Sequence, residues 1–371
     1  MTLKHLKTAN KPDYILLAVI GILIVFGLIM VSSASVSLSQ ENYRESYYFL
    51  KSQLLKGLLP GIVLGFIAYF FPLRYLKSLS FPLFALTVLS LCLVFVPGIG
   101  VEHGGASRWI SLGGIVIQPS EFLKLSFILY LSAWLAGKGK AVKNFSEGLI
   151  PFVFLVGLVG VLILKEPDLG TLGVIGFTSL ILFFLAGARF SHLGLIGAGT
   201  VGLFFLLTKL MPHAAQRLQV FQNPELDPLG IGYQMNQALL AIGSGGIFGL
   251  GLGQGLQKFR YLPEPASDSI VAVIGEELGF IGLLCLLILF LIFAFRGFKI
   301  AQGAPDEFTK LLAGGLTGWI IIQAMINISA ICGLLPLTGI TLPFISLGGS
   351  SLAISLIGMG ILLNISKQSR I

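Results

Sequence analysis

Apolar runs of about 20 residues recur along the whole chain, separated by short polar connections, and that is the length a helix needs to cross the hydrocarbon core of a bilayer. Nothing else in the sequence restricts the fold as strongly. The expected spans are 14–34, 53–71, 78–97, 119–137, 147–164, 168–188, 191–210, 269–295, 309–334 and 343–364. The expected fold class is therefore all-α: a polytopic membrane protein with ten transmembrane helices, one domain over residues 1–371, and a long external loop at 211–267 between helices 7 and 8. Composition agrees, since 55% of the residues are hydrophobic and only 11% are charged, which leaves no stretch for an independent soluble domain.

The formal charge of +8 raises the question of an acidic or nucleic-acid partner. The basic residues form no run and no single face, so no nucleic acid is expected. They follow membrane topology instead. With a cytoplasmic amino terminus, Lys4, Lys7, Lys11, Arg74, Lys77, Lys138, Lys140, Lys143, Arg189, Arg296, Lys299, Lys310, Lys367 and Arg370 all fall inside the cell. The short external connections hold chiefly Arg44, Lys51, Arg108 and Lys165, so the positive-inside bias places both termini in the cytoplasm. Lys4, Lys7 and Lys11 before an apolar stretch that ends at Ser32, Ser33, Ala34 and Ser35 imitate a secretory signal. An uncleaved first helix fits the charge pattern better. Cys92, Cys285 and Cys332 lie in apolar stretches and read as small hydrophobes, not as a disulfide or zinc framework.

The connection from Met211 to Ser267 contains Pro212, Pro224, Pro228, Pro263 and Pro265. A structureless loop of that length is unusual and often functional. Tyr233 to Ile242 is expected to form a short amphipathic surface helix, followed by a glycine-rich run from Gly243 to Gly255; a flexible interfacial loop is the alternative.

Ionisable residues in or beside membrane helices are costly and need a partner or a task. Glu121 and Lys124, three residues apart in the fourth span, can pair on one helical face. Arg108, within Gly104-Gly105-Ala106-Ser107-Arg108-Trp109-Ile110, suits either a headgroup-level anchor or a bidentate grip on a phosphate. The link Lys165-Glu166-Pro167-Asp168 is dense in charge, and Asp168 is expected chiefly to cap the next helix. Tyr261-Leu262-Pro263-Glu264-Pro265-Ala266-Ser267-Asp268 opens the eighth span, with the helix starting at Ser267 or Asp268. Asp268 is either an N-cap or a general base. The helix terminus lowers its pKa, whereas Glu264 and partial burial raise it. Glu276 and Glu277, roughly 12 to 14 Å deeper along the helix, are expected to support the bundle.

Taken in order, ASRWISLGG at 106–114, IQPSEFLKL at 117–125, EPDLGT at 166–171, AIGSGGIFGLGLG at 241–253, YLPEPASDSI at 261–270 and LPFISLGGSS at 342–351 resemble the SEDS family of bacterial cell-wall glycosyltransferases, which takes in FtsW, RodA and SpoVE. The resemblance covers nearly the whole chain, and QKFRYLPE at 257–264 with TGITLPFISLGGSS at 338–351 stands nearer the division branch, FtsW, than the elongation branch. It implies polymerisation of lipid II at the external face of the bacterial cytoplasmic membrane, at the division septum, by an inverting mechanism. Asp268 then matches the family's essential aspartate, as general base. The substrate-binding candidates are Arg108, then Arg217, Lys258 and Arg260 for the leaving diphosphate, together with Glu264. Glu121, Lys124, Lys165, Glu166, Asp168, Glu276 and Glu277 are supporting charges. No cofactor is implied with certainty; a divalent cation, Mg or Mn, is an option. The implied partners are lipid II, a class B penicillin-binding protein that crosslinks the strands, other divisome proteins and membrane lipids. Ala266, Ser267 and Ser269 depart from the usual His-Thr before the aspartate and Phe after it, and Leu347 replaces a frequent tyrosine. Two other functions fit such a bundle: a lipid II flippase, which needs a polar route through the midplane, and a scaffold that only recruits division proteins.

Overall fold

The computed structural model describes residues 11–369 apart from 97, 99, 104–105, 113–114, 211, 228–229 and 260. Helix α1 (Tyr14–Tyr43) starts at Asp13, whose side chain accepts the Leu16 N–H at 2.9 Å, and runs past the expected end at residue 34 because no glycine or proline interrupts it before Arg44 turns left-handed at φ 54°. Helices α2 (Tyr48–Gln53) and α3 (Leu59–Phe70) are joined by a π-turn at Leu54–Leu58 into one continuous segment. Helix α4 (Leu73–Leu93) follows.

The connection after α4 adds a small sheet to the otherwise helical fold. It forms a three-stranded antiparallel sheet, β1 (Gly100–His103), β2 (Ala106–Leu112) and β3 (Ile115–Ile117), in which Val101 faces Trp109 and Ile110 faces Ile117. Short runs rich in Val and Ile, separated in the sequence by the Gly-Gly pairs at 104–105 and 113–114, are the hairpin signal that span-length hydropathy passes over.

Helices α5 (Pro119–Lys138), α6 (Ile150–Lys165), α7 (Leu169–Leu185) and α8 (Phe190–Leu210) come next, followed by α9 (Pro212–Gln222), α10 (Ile231–Gly245), α11 (Ile270–Gln302), α12 (Glu307–Ile331) and α13 (Gly349–Ser366). Every expected span overlaps a helix, and among the described residues eight helical segments are long and apolar enough to cross a membrane. Helix α7 is apolar but shorter, and α5 carries the Glu121–Lys124 pair. Helix α12 sits at the centre against α5, α7, α11 and α13, while α8 lies at the periphery with its span wholly outside the core. Helices α3 and α13 meet backbone to backbone: a Cβ added to Gly360 would lie 2.0 Å from the Gly65 carbonyl oxygen, so only small residues permit this approach.

Between α8 and α11 the chain is largely ordered into α9, a 3₁₀ turn at Pro224–Leu226 and α10, which contains the expected 233–242 helix. The glycine-rich run is docked, in contrast to the flexible alternative. Helix α11 is kinked at Gly279 (φ 64°), and the backbone groups released there pair with that run: Leu250 and Gly251 donate to the carbonyls of Glu276 and Glu277 at 3.0 Å, and Phe280 donates to Gly246 at 2.9 Å. A Cβ on Gly279 would stand 2.3 Å from the Gly249 nitrogen, so glycine is needed for both the conformation and the approach.

The last span begins later than hydropathy implies. Residues 332–348 are irregular, although Leu342, Phe344 and Ile345 are buried. Pro336 and Pro343 oppose a helix, and irregular backbone inside a bundle must be satisfied by protein groups. Amide side chains supply the partners. Asn327 donates to Ile340 O at 2.7 Å, Gln323 to Thr341 O at 2.9 Å, and Gln53 to Ser346 O at 3.1 Å while accepting from Gly348 N at 3.0 Å.

Candidate active site

Asp268 lies in the turn that precedes α11. The N-cap position belongs to Ser269, which makes no side-chain cap bond, so the capping reading of Asp268 is corrected: the prolines and the 264–269 turn delay the helix until Ile270. The backbone around the aspartate is pinned from several elements. Leu347 N donates to Ala266 O at 2.8 Å, Ser346 Oγ donates to Ser267 O at 2.5 Å, and Asn327 Nδ2 donates to the carbonyl of Asp268 at 2.9 Å. Its carboxylate is asymmetric. Oδ2 accepts from Gln234 Nε2 at 3.3 Å, whereas Oδ1 is buried and has no hydrogen-bond partner among the described residues.

Burial raises the Asp268 pKa from 3.8 to about 6, helped by the negative charge of nearby Glu264 and opposed by the Gln234 amide and local backbone N–H groups. Glu264 itself is exposed, has a left-handed backbone (φ 48°), and accepts from Ser267 Oγ at 2.7 Å.

Arg217 comes from α9 and fastens to the 337–340 segment, donating from Nη1 to Leu337 O at 3.0 Å and to Thr338 O at 3.3 Å. Its pKa is lowered by burial and then by the positive charge of Arg108, with Asp168 and Asp268 pulling the other way. Asp268 is the weakest of those influences, so Arg217 does not form a close ion pair with it. Arg108, on β2, donates from Nε to Glu166 O at 2.9 Å and from Nη2 to Pro167 O at 2.8 Å, which ties the sheet to the turn between α6 and α7. In that turn Asp168 caps α7, accepting from Thr171 N at 2.9 Å and Thr171 Oγ1 at 2.8 Å. Glu166 is fully buried with neither carboxylate oxygen bonded, and burial, then Asp168, raise its pKa to about 8 against the pull of Arg108.

The structure thus gathers Arg108, Glu166, Asp168, Arg217, Glu264 and Asp268 at the sheet end of the bundle. Two guanidiniums held close enough to disfavour each other, in a partly desolvated setting, are relieved by an anion. Other sequence candidates are engaged elsewhere. Lys258 pairs with Glu277 at 2.6 Å and donates to Ser33 Oγ at 2.9 Å, so it is corrected from substrate ligand to buried structural cation. Glu276 accepts the N–H groups of Leu256 and Gln257, and Glu277 accepts from Gly253 N, which fastens the glycine-rich run to α11. Lys124 bonds Glu121 and Gln323, both at 2.8 Å, inside the bundle. Lys165 is exposed, and Arg260 lies outside the described residues. Sequence reasoning missed Gln234 and Asn327 because it weighed ionisable groups only; the amide in the apolar α12 was an available signal for Asn327, whereas Gln234 stands among the neighbouring amides Asn236 and Gln237.

This arrangement belongs to a known architecture. A chain from a peptidoglycan synthase complex that coordinates polymerization and crosslinking superposes with a TM-score of 0.80 at 28% identity, covering 97% of this chain and 98% of that one. The rod shape determining protein RodA of Thermus thermophilus superposes with a TM-score of 0.71 at 29% identity, over 97% and 98% of the two chains. Stage V sporulation protein E of Bacillus subtilis (strain 168) is 44% identical over 369 residues, covering 97% of this chain and 98% of that protein. A probable peptidoglycan glycosyltransferase FtsW of Trichlorobacter lovleyi is 41% identical over 357 residues, covering 95% and 93%. Residues 13–371 match the family model described as FtsW/RodA/SpoVE, cell cycle protein, and the chain is therefore a member of that multi-pass membrane family.

Proposed function

We propose that the chain is a peptidoglycan glycosyltransferase that polymerises lipid II, with Asp268 as general base. The observation that carries this reading is the half-satisfied carboxylate: Oδ1 of Asp268 is buried and unbonded, and the group's pKa of about 6 keeps it ionised yet basic near neutral pH. A sugar hydroxyl is a poor nucleophile until its proton is taken. Asp268 accepts that proton from the 4-hydroxyl of one disaccharide as the oxygen attacks the anomeric carbon of the lipid-linked glycan. The bond to undecaprenyl diphosphate breaks on the opposite face, with inversion and no glycosyl-enzyme intermediate. Arg108 and Arg217 share one electrostatic site, and their mutual repulsion falls when the leaving diphosphate sits between them.

Among the described residues no group of three or more His, Cys, Asp or Glu side chains gathers to hold a metal. A divalent cation, Mg or Mn, would therefore have to arrive with the diphosphate, where it would neutralise leaving-group charge. Polymerisation that persists in chelator-treated, divalent-free buffer would refute that dependence.

Relatives named for cell-wall synthesis and the synthase complex support a transpeptidase partner of the class B penicillin-binding type, together with other divisome proteins. We place the ten helices across the cytoplasmic membrane at the septum, with the Asp268 end outside and both termini inside. The division role competes with a sporulation role, given the stage V relative; arrested septation after depletion supports the first, and a block confined to spore formation the second. The flippase reading draws less support, because Glu121 and Lys124, in the first turns of α5, are buried and bonded to each other and to Gln323 and do not line an open polar route. Purified protein incubated with lipid II in detergent is the direct test. Glycan polymer is the expected product, and headgroup translocation in sealed vesicles without polymer would overturn the assignment.

A further inference from the structure

Gln234 touches the Asp268 carboxylate, and the reaction as derived gives it no task. It stands on α10, which packs along α11, so its carboxamide reaches the aspartate from a different element. Nε2 donates to Asp268 Oδ2 at 3.3 Å and to Ser269 Oγ at 3.0 Å. A carboxylate only accepts, so the amide must turn its NH₂ toward it, and the two hydrogens of that NH₂ serve both bonds together. Ser269 is fully buried and, although it occupies the N-cap position, bonds no helix N–H. Its hydroxyl is therefore available to fix the amide. With one carboxylate oxygen held, turning the carboxylate plane away from Gln234 costs a hydrogen bond, so the other oxygen, Oδ1, is kept facing the unbonded side.

We infer that Gln234, steered by Ser269, is a positioning residue that holds Asp268 with Oδ1 directed to the attacking hydroxyl. The inference rests on the polymerase reading of the same site. The groups facing Asp268 are few. Glu264 approaches from its own turn and Arg217 from α9, with Arg108 and Asp168 beyond it; α12 presents the neutral amide of Asn327, and the 337–340 segment presents Gly339. Gln234 is thus the side-chain donor that, with the local backbone N–H groups, favours the ionised carboxylate.

The test is the pH dependence of lipid II polymerisation by the full-length protein in detergent, measured for wild type, Gln234→Met, Ser269→Ala and the exposed-surface control Asn236→Met. Met matches the shape of Gln without a donor. Gln234→Met is expected to lower kcat about tenfold, leave the KM for lipid II within about twofold, and move the acid limb of the profile upward by roughly 0.5 to 1 pH unit. Ser269→Ala, which removes no cap, is expected to give about a threefold loss with a smaller shift in the same direction. Asn236→Met should match wild type. A rate loss in Gln234→Met with the acid limb unmoved means a merely structural role and overturns the inference. If Gln234→Met does not fold, an unmoved limb and full rate in Ser269→Ala overturn it equally. Wild-type protein that makes no polymer removes the polymerase reading and this inference with it, whereas normal wild-type polymerisation with unmoved variants removes the inference alone.

Discussion

Replacing Asp268 with Asn separates chemistry from structure with unusual clarity in this site. The amide has nearly the shape of the carboxylate, still offers an oxygen to Gln234, and removes no helix cap, because that position is Ser269. It cannot accept the hydroxyl proton. General-base assistance contributes about 10² to 10⁴ in rate, and the loss should fall in that range. Stability should move the other way. A carboxyl raised from 3.8 to about 6 binds more protons folded than unfolded between those pH values, so the folded state loses stability as pH rises through that window. The full penalty, on the order of 3 kcal/mol at most, is present at pH 7. Asn carries none of it. The variant should therefore melt a few degrees higher than wild type in detergent at pH 7 and nearly equally at about pH 3, where the carboxyl is mostly protonated in both the folded and the unfolded chain. Polymer formation on lipid II and thermal unfolding at the two pH values are the assays. Polymerisation within tenfold of wild type by a well-folded Asp268→Asn would refute the catalytic assignment and direct attention to Glu264; a lower melting temperature at pH 7 would refute the claim that the ionised carboxylate is a burden. Asp168→Asn is the companion control. It keeps an acceptor for Thr171 N, and its polymerisation rate should stay within about tenfold of wild type.

Lys258→Met leaves Glu277 buried and uncompensated, so it should destabilise the protein by about 3 to 5 kcal/mol, while Lys258→Met with Glu277→Gln recovers much of that loss; equal melting temperatures for the single and double variants would refute the pairing. Glu166, raised from 4.5 to about 8 with neither oxygen bonded among the described residues, should be protonated in the folded protein at pH 7, and its burial should cost stability progressively between about pH 4.5 and 8 and in full above that. Its protonated-carboxyl infrared band should be present at pH 7 and absent from Glu166→Gln, and that variant should outlast wild type on heating at pH 9. Gly360→Leu drives a side chain into the Gly65 carbonyl and should abolish the monodisperse folded protein; a normal elution profile and melting curve would show that α3 and α13 are not in that contact.

What the sequence by itself determined was whatever depends on neighbours along the chain. Hydropathy over about 20 residues located the helices because the bilayer imposes that length. The Asp168 cap followed from an aspartate beside Pro167 at the head of an apolar span, and the structure shows it accepting from both Thr171 N and Thr171 Oγ1. The Glu121–Lys124 pair followed from helical spacing. Tertiary structure decided everything that requires distant segments to meet. The small sheet depends on pairing between short strands, which hydropathy does not register. Where α13 begins was set by Gln53, Gln323 and Asn327, whose amides make an irregular apolar segment tolerable inside the bundle. Lys258 read as a substrate ligand until Glu277, on another element, claimed it. Asp268 could be named from its motif, yet the direction of its pKa could not, because a helix terminus and a desolvated turn push it oppositely. Only the packed structure, by starting α11 beyond it, burying Oδ1 and bringing Gln234 to Oδ2 alone, decided that burial wins.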